Sequence, residues 1–124
     1  MKGETEYAGK FIKCIRAMDK EKAKLEIEIL SMIKGHEKLV QIISAFQLSR
    51  EIVILTELLR GGELFERIVA DDFNLTENKC REFVKEILLG IQFIHQKFII
   101  HLDIKVSIYL GYNKEIGITN FYTH

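Results

Sequence analysis

Glu51-Ile52-Val53-Ile54-Leu55-Thr56-Glu57-Leu58-Leu59-Arg60-Gly61-Gly62-Glu63-Leu64-Phe65-Glu66-Arg67-Ile68-Val69 places two kinds of local structure on either side of one glycine pair. Residues 51–59 are apolar and β-branched, the composition of a strand. Gly61-Gly62 ends that strand, and residues 63–69 predict a short helix. Just upstream, residues 39–48 form a second apolar, β-branched run, and the polar link Ser49-Arg50 joins the two as an antiparallel hairpin. A hairpin followed directly by helix predicts an α+β chain.

Toward the N-terminus, Glu6 to Ile15 opens with alternating small or apolar and polar residues, the period of a half-buried strand. Asp19 is placed to cap a helix whose apolar positions Leu25, Ile29, Met32 and Ile33 recur at helical spacing, with Gly35 as the stop. Glu26 and Glu28 lie within it. Toward the C-terminus, the acidic bend Asp71-Asp72 precedes Thr76, which caps the longest helix. That helix carries Phe83, Ile87, Ile91 and Ile94 as a stripe widened by Val84 and Leu88, and runs to about Gln96. The stripe reads as core. Further on, residues 107–112 and 115–119 predict a small hairpin around Asn113-Lys114.

The bulk properties exclude several classes of function. The chain has 124 residues, enough for one modest core, and its 18 basic and 18 acidic side chains balance, so no excess charge draws it to nucleic acid or an anionic membrane. A hydrophobic share of 48% and a charged share of 29% are those of a globular protein. No apolar run is long enough to span a bilayer, and the N-terminus lacks a signal-peptide core. Cys14 and Cys80 have no metal-ligand spacing and read as reduced thiols of a cytoplasmic protein. His36, His95 and His124 show no metal spacing either. Proline is absent.

Chemistry concentrates in Ile99-Ile100-His101-Leu102-Asp103-Ile104-Lys105-Val106-Ser107-Ile108. An acid and an ammonium two residues apart in an apolar run are costly in a strand interior, where an unpaired charge loses its hydration. They suit a loop that aims charge at a substrate.

Taken in order, these segments resemble a eukaryotic serine/threonine protein kinase domain, most closely the myosin light chain kinase group. Ala8-Gly9-Lys10-Phe11-Ile12-Lys13 resembles the strand whose lysine holds the nucleotide's α and β phosphates, which implies that role for Lys10. Glu26 corresponds to the helix glutamate that pairs with this lysine, while Glu28, about 200° round the helix, is expected in solvent. Residues 52–59 resemble the strand entering the adenine-binding hinge, with Thr56 guarding the back pocket and Glu57 and Leu59 supplying backbone contacts. Residues 61–68 are the most specific match, and Glu63 maps to a residue that touches ribose or a basic substrate side chain. The implied nucleotide-binding set is therefore Ala8, Lys10, Glu26, Thr56, Glu57, Leu59, Glu63 and Leu110. Asp103 corresponds to the catalytic base and Lys105 to the lysine that steadies the transferred phosphoryl group. His101 is a scaffold residue in this frame. Leu102 stands where many kinases use arginine to hold a phosphorylated activation loop, so the site would not need that phosphorylation.

The departures from the family pattern are equally specific. Ile108 stands where an asparagine should bind magnesium, and Asn120-Phe121-Tyr122 is the best match to the aspartate-phenylalanine-glycine motif, so both metal positions are degenerate. Val106 and Glu37 replace prolines that relatives often carry. No glycine-rich loop precedes Tyr7, and the chain ends at His124 before an activation segment. The expected fold is thus a partial kinase: 1–59 as part of the N-lobe with the hinge strand, and 60–124 as part of the C-lobe through the catalytic loop.

ATP and magnesium are the implied cofactors, with magnesium binding expected to be impaired. The implied partner is a basic protein substrate or another protein, and the long helix's apolar stripe offers a surface for self-association. Three readings follow: an ATP-dependent serine/threonine kinase fragment with impaired catalysis, a non-catalytic pseudokinase interaction module, or a relic without function.

Overall fold

A computed structural model describes residues 5–62 and 64–100. Along the chain run β1 (Tyr7–Lys13), α1 (Ala17–Met32), β2 (Ile42–Gln47), β3 (Glu51–Glu57), α2 (Leu64–Ile68) and α3 (Glu77–Gln96). The three strands form one antiparallel sheet in the order β1-β3-β2. This is the α+β arrangement expected from the sequence.

β3 is central because it is the most continuously apolar strand, and its Ile52, Val53 and Ile54 are buried. The 39–59 hairpin forms with a tight link, in which the Leu48 amide donates to the Glu51 carbonyl at 2.7 Å. Its strands are shorter than the apolar runs suggest. β3 stops at Glu57, the last residue with a partner on β1, opposite Tyr7. β2 starts only at Ile42, because Leu39 and Val40 turn into the core instead of joining the ladder. The register then shifts between Ile42 and Ser44, the irregularity of a bulge that leaves Ile43 exposed.

α1 corrects two details of the sequence reading. The residue at the N-cap is Arg16, and Asp19 sits inside the first turn, where its carboxylate accepts the Arg16 backbone N–H at 2.9 Å. Asp19 therefore satisfies an open end of the helix from the third position. The buried residues are Ala23, Ile29, Leu30 and Ile33, whereas Leu25 and Met32 are exposed. At about 100° per residue the first four share a face with Glu26 at its centre, and Leu25 and Met32 fall more than about 100° from that centre. Gly35, at φ 98°, adopts the left-handed conformation that turns the chain out of the helix.

α3 begins at Thr76, whose hydroxyl accepts the Lys79 amide at 3.3 Å, and ends at Gln96, as its sequence indicates. Ile94 is fully buried; Ile87, Ile91 and Phe93 pack against the same core as α1 and β3, and Ile87 and Phe83 also pack on Leu64 of α2. Val84 and Leu88 stand outside this face and are exposed, so the stripe is narrower than the sequence suggests. The hairpin expected over 107–119 lies outside the described residues.

Candidate functional site

The candidate site begins with strand alternation. On β1, Ala8, Lys10 and Ile12 lie on one face, and the register sets Ala8 opposite Thr56 and Lys10 opposite Ile54. Directly opposed residues share a face of an antiparallel pair, so Ala8, Lys10 and Thr56 line the same side of the sheet. α1 covers that side with the face centred on Glu26. Lys10 Nζ lies 2.7 Å from Glu26 Oε1 and 2.9 Å from Oε2, which joins two residues sixteen positions apart. Glu28, on the far side of α1, is exposed.

The pair's setting decides what it can do. Its side chains are 55% and 26% exposed, and an ion pair so open to water contributes only about 0–1 kcal/mol to folding. Its two-point geometry fixes where the ammonium sits, while half of the lysine stays available to an anion from solvent. A cation held at one end of a sheet face suits the phosphate part of a ligand. At the other end, Thr56 Oγ1 donates to the Glu57 carbonyl at 3.2 Å, and Leu59 is half-buried just beyond the strand. Arg60 pairs with Glu6, which ties the segment after β3 to the start of β1.

The structure thus places Ala8, Lys10, Glu26 and Thr56 on one side of β1 and β3, with Glu57 and Leu59 at the end of β3. Glu63, Asp103, Lys105, Ile108, Leu110 and Asn120 lie outside the described residues. Among the described residues no group of three or more His, Cys, Asp or Glu side chains could hold a metal ion. The kinase resemblance assigns a divalent metal to positions 108 and 120. Isoleucine offers no donor atom and asparagine only a neutral oxygen, so that donor set does not fit a cation that favours anionic oxygen.

Two features had no signal in the residue pattern. Lys38, in the connection between α1 and β2, pairs with Glu86 of α3, and both side chains are more than four-fifths buried. The hydrogen bond to Glu86 raises the Lys38 pKa against the opposing effect of burial. Gln41 forms a hydrogen-bonded node between the same connection and Glu57. Both depend on partners distant in sequence. A recess of about 720 Å³ lies on the outer face of α3, lined by Cys80, Val84, Leu88 and Leu89 among others, and it does not include the Lys10–Glu26 pair. Cys14 and Cys80 are free. No helix among the described residues is long and apolar enough to cross a membrane.

Comparison with known proteins adds three findings. Residues 1–121 match the protein kinase domain family. The chain is 43% identical over 108 residues to smooth-muscle myosin light chain kinase of Gallus gallus, covering 87% of this chain and 6% of that protein. It is 40% identical over 117 residues to myosin light chain kinase family member 4 of Homo sapiens, covering 92% of this chain and 30% of the relative. Its fold is similar to a solved twitchin kinase fragment of C. elegans, an autoregulated protein kinase with immunoglobulin domains, with a TM-score of 0.85 and 29% identity over 93% of this chain and 26% of that one. The chain therefore spans under a third of the length of each of these relatives.

Proposed function

This chain belongs to the protein kinase family, and from that premise we propose that it is a myosin-light-chain-kinase-like fragment that binds ATP but transfers its γ-phosphoryl group poorly. The observation that carries the proposal is the Lys10–Glu26 pair, because it positions a half-exposed cation where folding gains little from it. In this reading Lys10 holds the α and β phosphates and Glu26 holds Lys10. Ala8, Thr56 and Leu59 surround the base, and the backbone of Glu57 and Leu59 reads its edge. Glu63 and Leu110 complete the nucleotide contacts.

For catalysis, Asp103 would accept the proton of a protein hydroxyl and Lys105 would steady the phosphoryl group in flight. ATP with magnesium supplies charge neutralisation in kinases generally, and Ile108 and Asn120 leave this chain few donors for that ion. The proposed outcome is nucleotide affinity with little turnover, on basic protein substrates if any. A cytoplasmic location belongs to the same proposal, supported by the two free cysteines.

A second reading, a non-catalytic interaction module that associates through the outer face of α3, is favoured by exposed Val84, Leu88 and Leu89. A transfer assay with the full chain, ATP, magnesium and a basic peptide separates the two aspects of function. We expect transfer at background level, unchanged by Asp103→Ala, alongside saturable ATP binding. Robust transfer that Asp103→Ala abolishes would contradict the proposed impairment.

A further inference from the structure

The connection from α1 to β2 is held by a single side chain. The Gln41 amide oxygen accepts the Gly35 backbone N–H at 2.7 Å, and its Nε2 donates to the carbonyls of His36 at 3.0 Å and Leu39 at 2.9 Å. All three bonds are to backbone, a donor facing the oxygen and two acceptors facing the nitrogen, which fixes the orientation of the amide. The same residue's main chain grips the end of β3. Its N–H donates to Glu57 Oε1 at 2.9 Å, and its carbonyl accepts the Glu57 N–H at 2.9 Å. Gln41 therefore holds the connection with its side chain and Glu57 with its backbone.

The connection is in turn fixed to α3. The His36 ring packs on Phe93 with centroids 4.6 Å apart, and Lys38 pairs with Glu86 beneath it. Leu39 is fully buried between these anchors. The position of the Glu57 peptide is thus referred, through Gln41, to the long helix as well as to the sheet.

From this we infer that Gln41 is a positioning residue for purine recognition, setting the Glu57 backbone so that it discriminates an adenine edge from a 6-keto purine edge. The inference rests on the nucleotide-binding role proposed above for Glu57. A backbone carbonyl that accepts from the amino group of adenine meets another acceptor in hypoxanthine, and the discrimination depends on the carbonyl being unable to swing away. Gln41 restrains that swing from a place where it does not itself contact the base.

The test uses the full chain and two readouts. Residue-resolved amide hydrogen exchange follows Glu57, with Ile54 as the control for global folding, and calorimetric titration compares ATP with inosine triphosphate. In Gln41→Ala, Glu57 exchange is expected to quicken by about tenfold, the factor for roughly one lost hydrogen bond, with Ile54 unchanged. The preference for ATP over inosine triphosphate is expected to fall by a similar factor. Lys10→Ala should instead weaken both nucleotides alike.

Should Gln41→Ala fail to fold, Glu57→Ala and Glu57→Gln serve the same purpose: alanine should quicken Glu57-region exchange, and glutamine, which keeps the acceptor oxygen, should restore it. Unchanged Glu57 exchange in a folded Gln41→Ala variant would overturn the inference. So would quickened exchange with an unchanged nucleotide preference. If the wild-type chain binds neither nucleotide, the binding role of Glu57 falls and the purine inference falls with it, whereas failure of Gln41→Ala to alter exchange or preference in a chain that binds ATP defeats this inference alone.

Discussion

Two lysine–glutamate pairs of the same chemistry sit at opposite ends of this molecule's range of burial. Lys10–Glu26 joins β1 to α1 with half the lysine in water, and Lys38–Glu86 joins the α1–β2 connection to α3 with both side chains largely enclosed. In water the attraction is screened and side-chain ordering consumes most of it, so the first pair contributes little to stability. In the interior the attraction is strong but so is the loss of hydration, so the second pair matters chiefly because neither partner tolerates being left alone. The difference teaches that an ion pair's place, more than its chemistry, separates a candidate ligand-binding device from a structural brace.

The largest effect should come from breaking the brace. Lys38→Ala leaves Glu86 Oε2 buried without its cation and is expected to destabilise the chain by about 2–3 kcal/mol, somewhat below the range for complete burial. Lys38→Met with Glu86→Leu should recover most of that loss, because no uncompensated charge remains; chemical denaturation of the single and double variants measures both. Linkage adds a pH signature. Lys38 has a raised pKa in the folded state, so its contribution is fully present below the ordinary lysine value of about 10.4 and is lost as pH rises through the higher folded value. Alkaline titration of unfolding should show that loss in the wild type and not in Lys38→Met/Glu86→Leu.

A smaller effect is expected at the cap of α3. Thr76→Ala removes the acceptor for the Lys79 amide and should cost about 1 kcal/mol, measured as a lower denaturation midpoint at unchanged slope. Smaller still is the expected stability change of Lys10→Ala, below about 1 kcal/mol and diminished further by salt. A loss comparable with Lys38→Ala would erase the contrast between the pairs. At the exposed start of α1, the Arg16 backbone N–H holds the Asp19 carboxyl below the usual carboxylate range. Its contribution is present above the ordinary value of about 3.9 and disappears as pH falls through the lower folded value, so Asp19→Asn should flatten part of the acid limb of the stability profile.

The sequence makes legible what local pattern controls. The hairpin through Ser49-Arg50, the Thr76 cap, the end of α3 near Gln96 and the opposite placement of Glu26 and Glu28 all follow from composition, capping chemistry or the helical period. Leu25 and Met32 were hidden because helical spacing alone does not say which of two apolar arcs meets the sheet; Ala23, Leu30 and Ile33 occupy that arc, and Glu26 lies at its centre. Asp19 shows the same limit at one position, since a carboxylate can satisfy a helix start from the cap or from inside the first turn. Lys38–Glu86 and the Gln41 node were illegible for another reason. Their partners lie forty-eight and sixteen residues away, and only the folded chain brings them together.

The central claim is that Lys10 is placed for nucleotide rather than for stability, and thermal unfolding of the wild type and Lys10→Ala, each with and without ATP, tests it most directly. At ATP about a hundredfold above its dissociation constant, binding should stabilise the wild type by about 2.7 kcal/mol, and magnesium should add little. Lys10→Ala should unfold close to the wild type without nucleotide and gain far less from ATP. Equal ATP stabilisation in both proteins, or none in either, would contradict the account.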